Sequence, residues 1–129
     1  MAMYLSDEWG REMEKAVNAD EEFQQATSGM SLVLQHVVNN VPGRETVEYW
    51  FEFEDGSITY HPGKAERKPD GTVTQSYETS AALNRGEVNS QVAISQGKVK
   101  ITGNLGKILQ AAPALDSMVP VLQALPTEY

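Results

Sequence analysis

The segment Val47-Glu48-Tyr49-Trp50-Phe51-Glu52-Phe53-Glu54 carries the most regular pattern in the chain. Apolar residues occupy every second position, and mostly acidic residues stand between them. Because successive side chains of a strand point to opposite faces of a sheet, this period predicts a β-strand with one buried and one acidic face. The centre of the predicted fold is therefore a sheet.

Turn-forming residues on both sides place this strand in a run of hairpins. Asp55-Gly56 supplies the positive φ angles of a tight two-residue turn, after which Ile58 and Tyr60 continue the sheet. Before it, residues 31–39 predict a strand that ends at the turn formers of residues 39–43. These neighbours are expected to pair in antiparallel fashion.

The sequence beyond residue 61 predicts a charged loop over 62–71 and further strands over 72–77 and 98–102. The strand over 98–102 follows a helical segment, so we expect it to pair parallel to an early strand. Together with the helices described next, these strands predict an α+β fold in which helices cover one face of the sheet.

The predicted helices fall into three groups. Residues 6–27 predict two short helices or one bent helix, and residues 79–85 and 87–96 predict two small ones. Residues 105–125 are mostly apolar, with Lys107 and Asp116 as their only charged residues. Pro113 divides this tail into two helices, and Pro120 is expected to kink or end the second.

Length and composition indicate a single domain and argue against several classes of binding partner. The 129 residues suit a single domain over 1–129. A net charge of −8 and a pI of about 4.7 argue against a nucleic-acid partner and against docking to an anionic membrane by charge alone. The chain has no cysteine, no secretory signal and no apolar run that could span a bilayer, so we expect a soluble, cytoplasmic protein.

Residues with catalytic chemistry are few. Phosphate-binding glycine loops and a nucleophile elbow are absent from the sequence. We interpret His36 and His61 as ordinary surface or edge histidines, and the acidic residues between 48 and 54 as a solvated sheet face. Trp50 on that acidic face either covers an exposed sheet surface or marks a dimer contact.

The apolar tail admits two interpretations. Its helices either pack as plain core on the sheet, or they enclose a cavity larger than packing requires. Met118, the alanines at 111, 112 and 114, and the two prolines favour adaptable walls. Composition leaves both alternatives open.

The segment Gln96-Gly97-Lys98-Val99-Lys100-Ile101-Thr102-Gly103-Asn104 resembles the signature of the sterol carrier protein type 2 family. That signature reads Gln-Gly-Lys, a hydrophobic residue, Lys-Ile, any residue, Gly, and Asn or Asp, before an apolar helix. Leu83 and Gly86 match the family's preceding leucine-x-x-glycine step. The resemblance is specific over residues 83–105 and extends more generally over about residues 20–112.

This resemblance implies a mixed, mostly antiparallel five-stranded sheet with helices on one face and an apolar tunnel between the two layers. It also implies a protein that binds and transfers fatty acids, fatty acyl-CoA or sterols, without catalytic residues or a cofactor. The C-terminal helices would form the lid. The expected ligand-binding residues are Phe51, Phe53, Val92, Gln96, Leu105, Ile108, Leu109, Leu115, Met118, Val119 and Leu122.

Several alternatives accompany this prediction. Gln96 is expected either to bond a ligand head group or simply to bond backbone at a helix end. The apolar tail and Trp50 could instead serve a homodimer or an accessory subunit of a lipid-metabolising enzyme. An enzyme built on His36 and His61 is a third hypothesis. Beyond a lipid ligand, we expect at most transient membrane contact, and the C-terminus differs from a peroxisomal Ser-Lys-Leu address.

Overall fold

The computed structural model describes residues 1–129, which form two sheets and six helices. The strands are β1 (Ala2–Met3), β2 (Ser31–Val41), β3 (Glu45–Glu54), β4 (Ser57–Pro62), β5 (Gly71–Ser76), β6 (Val99–Gly103) and β7 (Thr127–Glu128). The helices are α1 (Asp7–Asn18), α2 (Glu21–Ala26), α3 (Tyr77–Arg85), α4 (Ser90–Ser95), α5 (Leu105–Gln110) and α6 (Ala112–Ala124). None of the helices is long and apolar enough to cross a membrane.

The main sheet has five strands in the order β4-β3-β2-β5-β6. Only β2 and β5 pair in parallel, and the other neighbours are antiparallel. The predicted α+β fold with a five-stranded mixed sheet is confirmed. The expected parallel pairing of the late strand is wrong, because the loop after β4 already carries the chain across β2, and β6 returns antiparallel to β5 on the outer edge.

The alternating segment forms β3 as predicted. Val47, Tyr49, Phe51 and Phe53 are all buried on the face that the helices cover. Asp55 and Gly56 both have positive φ angles and connect β3 to β4. Buried apolar area of this kind stabilises a fold by roughly 25 cal/mol per Å².

The opposite face of β3 is less solvated than the sequence suggested. Trp50 is only 4% exposed and stacks on His61, with ring centroids 3.9 Å apart. The loop after β4 closes over this face, where the Ala65 N–H donates to Gln35 Oε1 at 2.6 Å. Trp50 is therefore buried within its own chain, and neither an exposed-surface role nor a dimer contact fits it.

Two capped helices cover the β3–β4 half of the sheet. Ser6 Oγ accepts from the Trp9 N–H at 3.1 Å, and Asp20 accepts from the Phe23 N–H at 3.0 Å. The Asp20 cap begins a new helix, which selects two short helices over one bent one. Gly10 of α1 lies so close to the Tyr60 ring of β4 that an added Cβ would overlap it.

The chain ends meet in a small parallel sheet, β1 with β7, that the sequence did not reveal. Ala2, Tyr4 and Leu5 are buried there. Tyr4 Oη and Ser80 Oγ form a 2.5 Å hydrogen bond that ties this segment to α3. The first residues thus belong to the core.

The later helices follow the prediction with two adjustments. Gly86 ends α3 in the left-handed region as expected. The helix predicted over 87–96 is shorter, because Asn89 caps α4 and accepts from the Gln91 N–H at 2.8 Å. Helix α6 does not end at Pro120 but continues to Ala124.

Candidate functional site

The helix-covered face of the sheet divides into two halves that differ in burial. On β3 and β4 this face is buried beneath α1 and α2 at six positions, with Pro62 exposed at the end of β4; the buried residues are Val47, Tyr49, Phe51, Phe53, Ile58 and Tyr60. On the neighbouring strands, His36, Val73, Gln75 and Ile101 are only half-buried. The packing is therefore complete over one half of the sheet and incomplete over the other.

The half-buried residues form a continuous patch. His36 of β2 pairs with Val73 of β5, and Val73 pairs with Ile101 of β6, so the three lie in one row across the sheet. Gln75 stands in the adjacent row between Val38 and Val99. We call His36, Val73, Gln75 and Ile101 the β2–β5–β6 patch.

The helices contribute an apolar layer on the same side of the sheet. Tyr77 of α3, together with Leu115, Val121 and Leu122 of α6, is half-buried and packs against the core. Helix α6 contacts α1, α2, α3 and α5. The arrangement places partly uncovered apolar surface on both the sheet and the helices, which is the environment that a hydrocarbon ligand requires.

Asp70 holds α5 at the edge of this layer. Its Oδ2 accepts from the Val33 N–H at 2.7 Å, its Oδ1 accepts from Lys107 Nζ at 3.0 Å, and its carbonyl accepts from the Asn104 N–H at 2.8 Å. Burial acts to raise the pKa of the Asp70 carboxyl, but the Val33 and Lys107 donors outweigh it and hold that pKa below its usual value.

Ile108 provides the apolar contact of α5 with the sheet. Its Cδ1 methyl lies directly over Gly71 of β5, where an added Cβ would overlap it. Gly71 therefore allows α5 to approach the strand closely. Ile108 and the Asp70 interactions together position α5 beside the β2–β5–β6 patch.

His36 is the unexpected polar group of the site. Its ring is parallel to that of Tyr49, with centroids 4.8 Å apart, and it also contacts Phe51. Neither ring nitrogen has a hydrogen-bond partner, although both are buried. Burial lowers the pKa of His36 to about 4. The expectation of a surface or edge histidine is wrong for His36, which lies on the central strand.

Gln75 supplies a second unpartnered polar atom. Its Oε1 is buried without a hydrogen-bond partner on the strand next to His36. Buried polar groups are normally paired, because an unmade hydrogen bond costs roughly 1–3 kcal/mol. The apolar layer thus contains two polar groups able to recognise one ligand group.

His61 is separated from His36 and Gln75 by the sheet itself. It occupies edge strand β4 on the opposite face of the sheet and pairs with Glu52 Oε1 at 2.7 Å. Arg67 also pairs with Glu52. Since His36 and His61 face opposite sides of the sheet, they cannot act together on one substrate. The structure contains no cluster of three or more His, Cys, Asp or Glu residues suited to a metal ion.

The ligand-binding residues predicted from the sequence fall into three groups. Four are buried in the core, namely Phe51, Phe53, Ile108 and Met118. Two are half-buried on α6 and pack against the core, namely Leu115 and Leu122. The other five are exposed, namely Val92, Gln96, Leu105, Leu109 and Val119. Gln96 ends α4, where its backbone N–H donates to the Val92 carbonyl at 3.0 Å.

Two surface clefts lie elsewhere. One of about 540 Å³ surrounds the β2–β3 turn at residues 39–46 and is lined mostly by polar groups. The other, of about 360 Å³, lies between residues 16–20 and the end of α6. Neither is lined by the residues predicted to bind ligand.

The site residues that the sequence analysis missed are His36, Val73, Gln75 and Ile101. A signal existed for His36, because Leu32, Leu34 and Val38 alternate around it and share its face. Gln75 stands two positions after Val73 in the same way. The importance of these positions depends on incomplete helix coverage, which no alternation pattern reveals.

Comparisons with known proteins find a matching family model and similar sequences. A family model described as the SCP-2 sterol transfer family matches residues 12–116. Human sterol carrier protein 2 is 31% identical over 96 residues, which are 74% of this chain and 17% of that protein. Peroxisomal multifunctional enzyme A of Dictyostelium discoideum is 32% identical over 71 residues, 55% of this chain and 16% of that protein.

The fold is also shared with solved structures. A crystal structure of sterol carrier protein 2 superposes with a TM-score of 0.80, covering 95% of this chain and 99% of that one at 17% identity. The chain spans about one sixth of the length of the curated relatives that it matches.

Proposed function

Because the chain belongs to the SCP-2 sterol transfer family, we propose that it binds one lipid between the β2–β5–β6 patch and the helices α3, α5 and α6. The lipid is carried rather than chemically altered. The observation that carries the proposal is the apolar layer that its own helices leave half-covered, with Val73 and Ile101 on the sheet and Leu115 and Leu122 on α6.

The driving force is the removal of hydrocarbon from water. Each methylene of an acyl chain contributes about 0.8 kcal/mol when buried. The exposed apolar surface of Val73, Ile101, Leu115 and Leu122 would be buried in the same event. Entry of a lipid into this layer therefore removes apolar surface of both the lipid and the protein from water, which stabilises the complex.

His36 and Gln75 suit an uncharged polar end of the lipid. A neutral imidazole can donate through one nitrogen and accept through the other, and the Gln75 carbonyl accepts. No lysine is bonded to them, because Lys107 is paired with Asp70, and Lys100 of β6 and Lys98 just before that strand are exposed. A hydroxyl or carbonyl fits this position, whereas the charged head of an acyl-CoA would have to stay in solvent.

Entry of the lipid requires a moving element, and α5 with the first part of α6 is suited to that role. Leu105 and Leu109 of α5 are exposed, and the helix is held by Ile108 and by the Asp70–Lys107 pair. These few contacts would be broken and remade during loading. The sheet beneath need not change.

A carrier fits the site better than an enzyme acting on lipid. The only histidine in the layer, His36, has neither a carboxylate nor a hydroxyl bonded to its ring, whereas nucleophilic and acid–base catalysis require such pairs. The sequence also suggested an accessory subunit or a homodimer with Trp50 as a contact residue, but Trp50 is buried in its own chain. The exposed side chains of α5 are the remaining candidates for such a contact.

The proposal is tested by enlarging a side chain of the sheet so that it fills the space proposed for the lipid. Val73 and Val37 are both half-buried valines on paired strands, but Val37 faces the opposite side of the sheet. Delipidated wild type, Val73→Phe and Val37→Phe would be titrated with fluorescent fatty-acid and sterol probes. We expect saturable binding to wild type, a loss of about tenfold or more in Val73→Phe, and no change in Val37→Phe.

The thermal stability of the same variants provides a second criterion. An added ring costs about 1–3 kcal/mol in a filled core but little in an open layer. Val73→Phe should therefore keep the wild-type melting temperature. Absence of saturable binding to wild type, or equal loss in both variants, would contradict the proposed site.

A further inference from the structure

Four of the eight large exposed apolar side chains lie on two short helices, and the other four are Met1, Met3, Val119 and Tyr129. Val92 and Ile94 of α4 are 46% and 44% exposed, and Leu105 and Leu109 of α5 are 53% and 72% exposed. Leu105 and Leu109 are four residues apart and so lie on one side of α5. None of these side chains is needed to fill the core.

Both helices adjoin edge strand β6. Helix α4 packs against β6 and leads into it through a short turn, and α5 begins two residues after β6 ends. Residues 88–110 therefore form one continuous border of the main sheet. We call them the β6 border.

The charge of this border is opposite to that of the whole protein. Residues 88–115 contain Lys98, Lys100 and Lys107 but no Asp or Glu, while the chain carries −8 overall. Lys107 is paired with Asp70, and Lys98 and Lys100 are exposed without such a partner. Residues 7–26 of α1 and α2, by contrast, contain seven acidic residues and only two basic ones.

We infer that the β6 border is a docking surface for an anionic lipid bilayer. Along the chain its exposed lysines stand between two pairs of exposed apolar side chains, and such a combination binds headgroups and inserts at the interface. The acidic helices α1 and α2 would be repelled by the same surface, so the protein would dock in one orientation. The sequence-based argument from net charge overlooked this local excess of lysine.

A bilayer suits this surface better than a protein partner. The apolar residues lie at the two ends of β6 with lysines between them, rather than in one continuous apolar patch. Interfaces between copies of a chain have apolar centres depleted of charge. Docking is a property of the outer surface and does not require that a lipid occupy the interior, although it would serve the proposed carrier function by bringing α5 to the membrane.

Vesicle flotation of the full chain tests the inference. Wild type would be mixed with vesicles of phosphatidylcholine alone or containing 30% phosphatidylglycerol, at low and high salt. The border variants are Lys98→Glu/Lys100→Glu and Leu105→Ser/Leu109→Ser, all at exposed positions. Matched controls away from the border are Lys15→Glu/Lys64→Glu and Met3→Ser, which are also exposed.

We expect wild type to float only with the anionic vesicles and to be released by salt. Each lysine near an anionic surface is worth roughly a fivefold change in binding, so the double lysine variant should bind about thirtyfold or more weakly. The leucine variant should lose about tenfold, and the controls should match wild type.

A third variant reports insertion directly. Trp9 and Trp50 are buried, so quenching by brominated lipid should be weak in wild type and strong in Leu109→Trp. Failure of wild type to float with anionic vesicles would overturn the inference, and so would equal loss in border and control variants. A wild-type dimer that Leu105→Ser/Leu109→Ser dissociates, without vesicle binding, would assign the border to a protein contact instead. Retained probe binding in Lys98→Glu/Lys100→Glu, which lies outside the proposed lipid site, separates such a failure from failure of that site.

Discussion

The imidazole of His36 lies parallel to the phenol ring of Tyr49, with centroids 4.8 Å apart and planes inclined by 6°. The two residues are directly opposed on β2 and β3, at the boundary between the filled and the half-covered parts of the sheet. Burial lowers the pKa of the ring, and neither nitrogen has a hydrogen-bond partner, so the ring stays neutral. This pair therefore gives the interior a polar group that does not carry charge.

The first prediction concerns acid stability. Burial lowers the folded-state pKa of His36 to about 4 from an unfolded value near 6.5. Between these values the unfolded chain binds more protons, so the stability is complete above pH 6.5 and falls as the pH decreases towards 4. The loss amounts to about 3 kcal/mol, since each pKa unit corresponds to about 1.4 kcal/mol.

Urea unfolding of wild type and His36→Phe at several pH values measures this contribution. The difference in unfolding free energy should shift in favour of His36→Phe as the pH falls from 6.5 to 4, because phenylalanine keeps the ring but cannot bind a proton. His61→Phe controls for the removal of any imidazole. Parallel pH profiles for wild type and His36→Phe would show that His36 is not desolvated.

A second prediction concerns the contact between α1 and β4. Replacing glycine with alanine inside a helix normally stabilises it by about 1 kcal/mol. At Gly10 the new methyl would overlap the Tyr60 ring, so Gly10→Ala should destabilise the protein by about 1–3 kcal/mol. A Cβ added at Gly106 of α5 would make only an ordinary contact of 3.7 Å with Asn104 Oδ1, so Gly106→Ala should be neutral or stabilising. Denaturant midpoints compare the two, and equal effects would argue against close packing of α1.

A third prediction concerns the anchor of α5. The pKa of Asp70 is held below its usual value, so its contribution to stability is present above about pH 4 and is lost as the pH falls through the folded-state pKa. Asp70→Asn should weaken the bond to the Val33 N–H and abolish the pairing with Lys107, costing about 1–2 kcal/mol at pH 7.

Amide hydrogen exchange identifies where the Asp70 contribution acts. Exchange should accelerate in α5 of Asp70→Asn, while β3 keeps its protection. Lys107→Met removes only the partly exposed ion pair and should cost less than about 1 kcal/mol. If Lys107→Met matched Asp70→Asn, the ion pair rather than the backbone contacts would be the main anchor.

The period of two in residues 47–54 was sufficient to predict the sheet, because alternation follows from strand geometry alone. The left-handed end of α3 at Gly86 was equally local, whereas the Asp20 cap that separates α1 from α2 was not recognised. The alternation and the glycine helix end depend on neighbouring residues in the chain. They could be predicted without knowing what packs against them.

The features that were missed depend on distant contacts. Trp50 was expected on an exposed face, but the loop after β4 returns over it, and Gln35 bonds that loop at Ala65. Tyr4 is buried where its hydroxyl group forms a hydrogen bond with Ser80, which lies 76 residues away in the sequence. The pairing of β6 with β5 likewise depends on where a long loop places β5.

The candidate site combines both kinds of information. The apolar helices at 105–125 were recognised from composition, whereas the half-covered state of Val73 and Ile101 depends on how far those helices stand from the sheet. The ligand-binding roles of Leu115 and Leu122 remain predictions, and their half-buried state on α6 makes them the most informative of the eleven residues.

The most direct measurement of the central claim locates a bound acyl chain by NMR. Spin-labelled stearate would be added at one equivalent to delipidated protein with labelled Ile, Leu and Val methyl groups. The account predicts broadening at Val73, Ile101, Leu115 and Leu122, with Val37 on the opposite face of the sheet remaining sharp. Broadening confined to exposed Leu105 and Leu109, or none at all, would contradict a lipid site between the sheet and the helices.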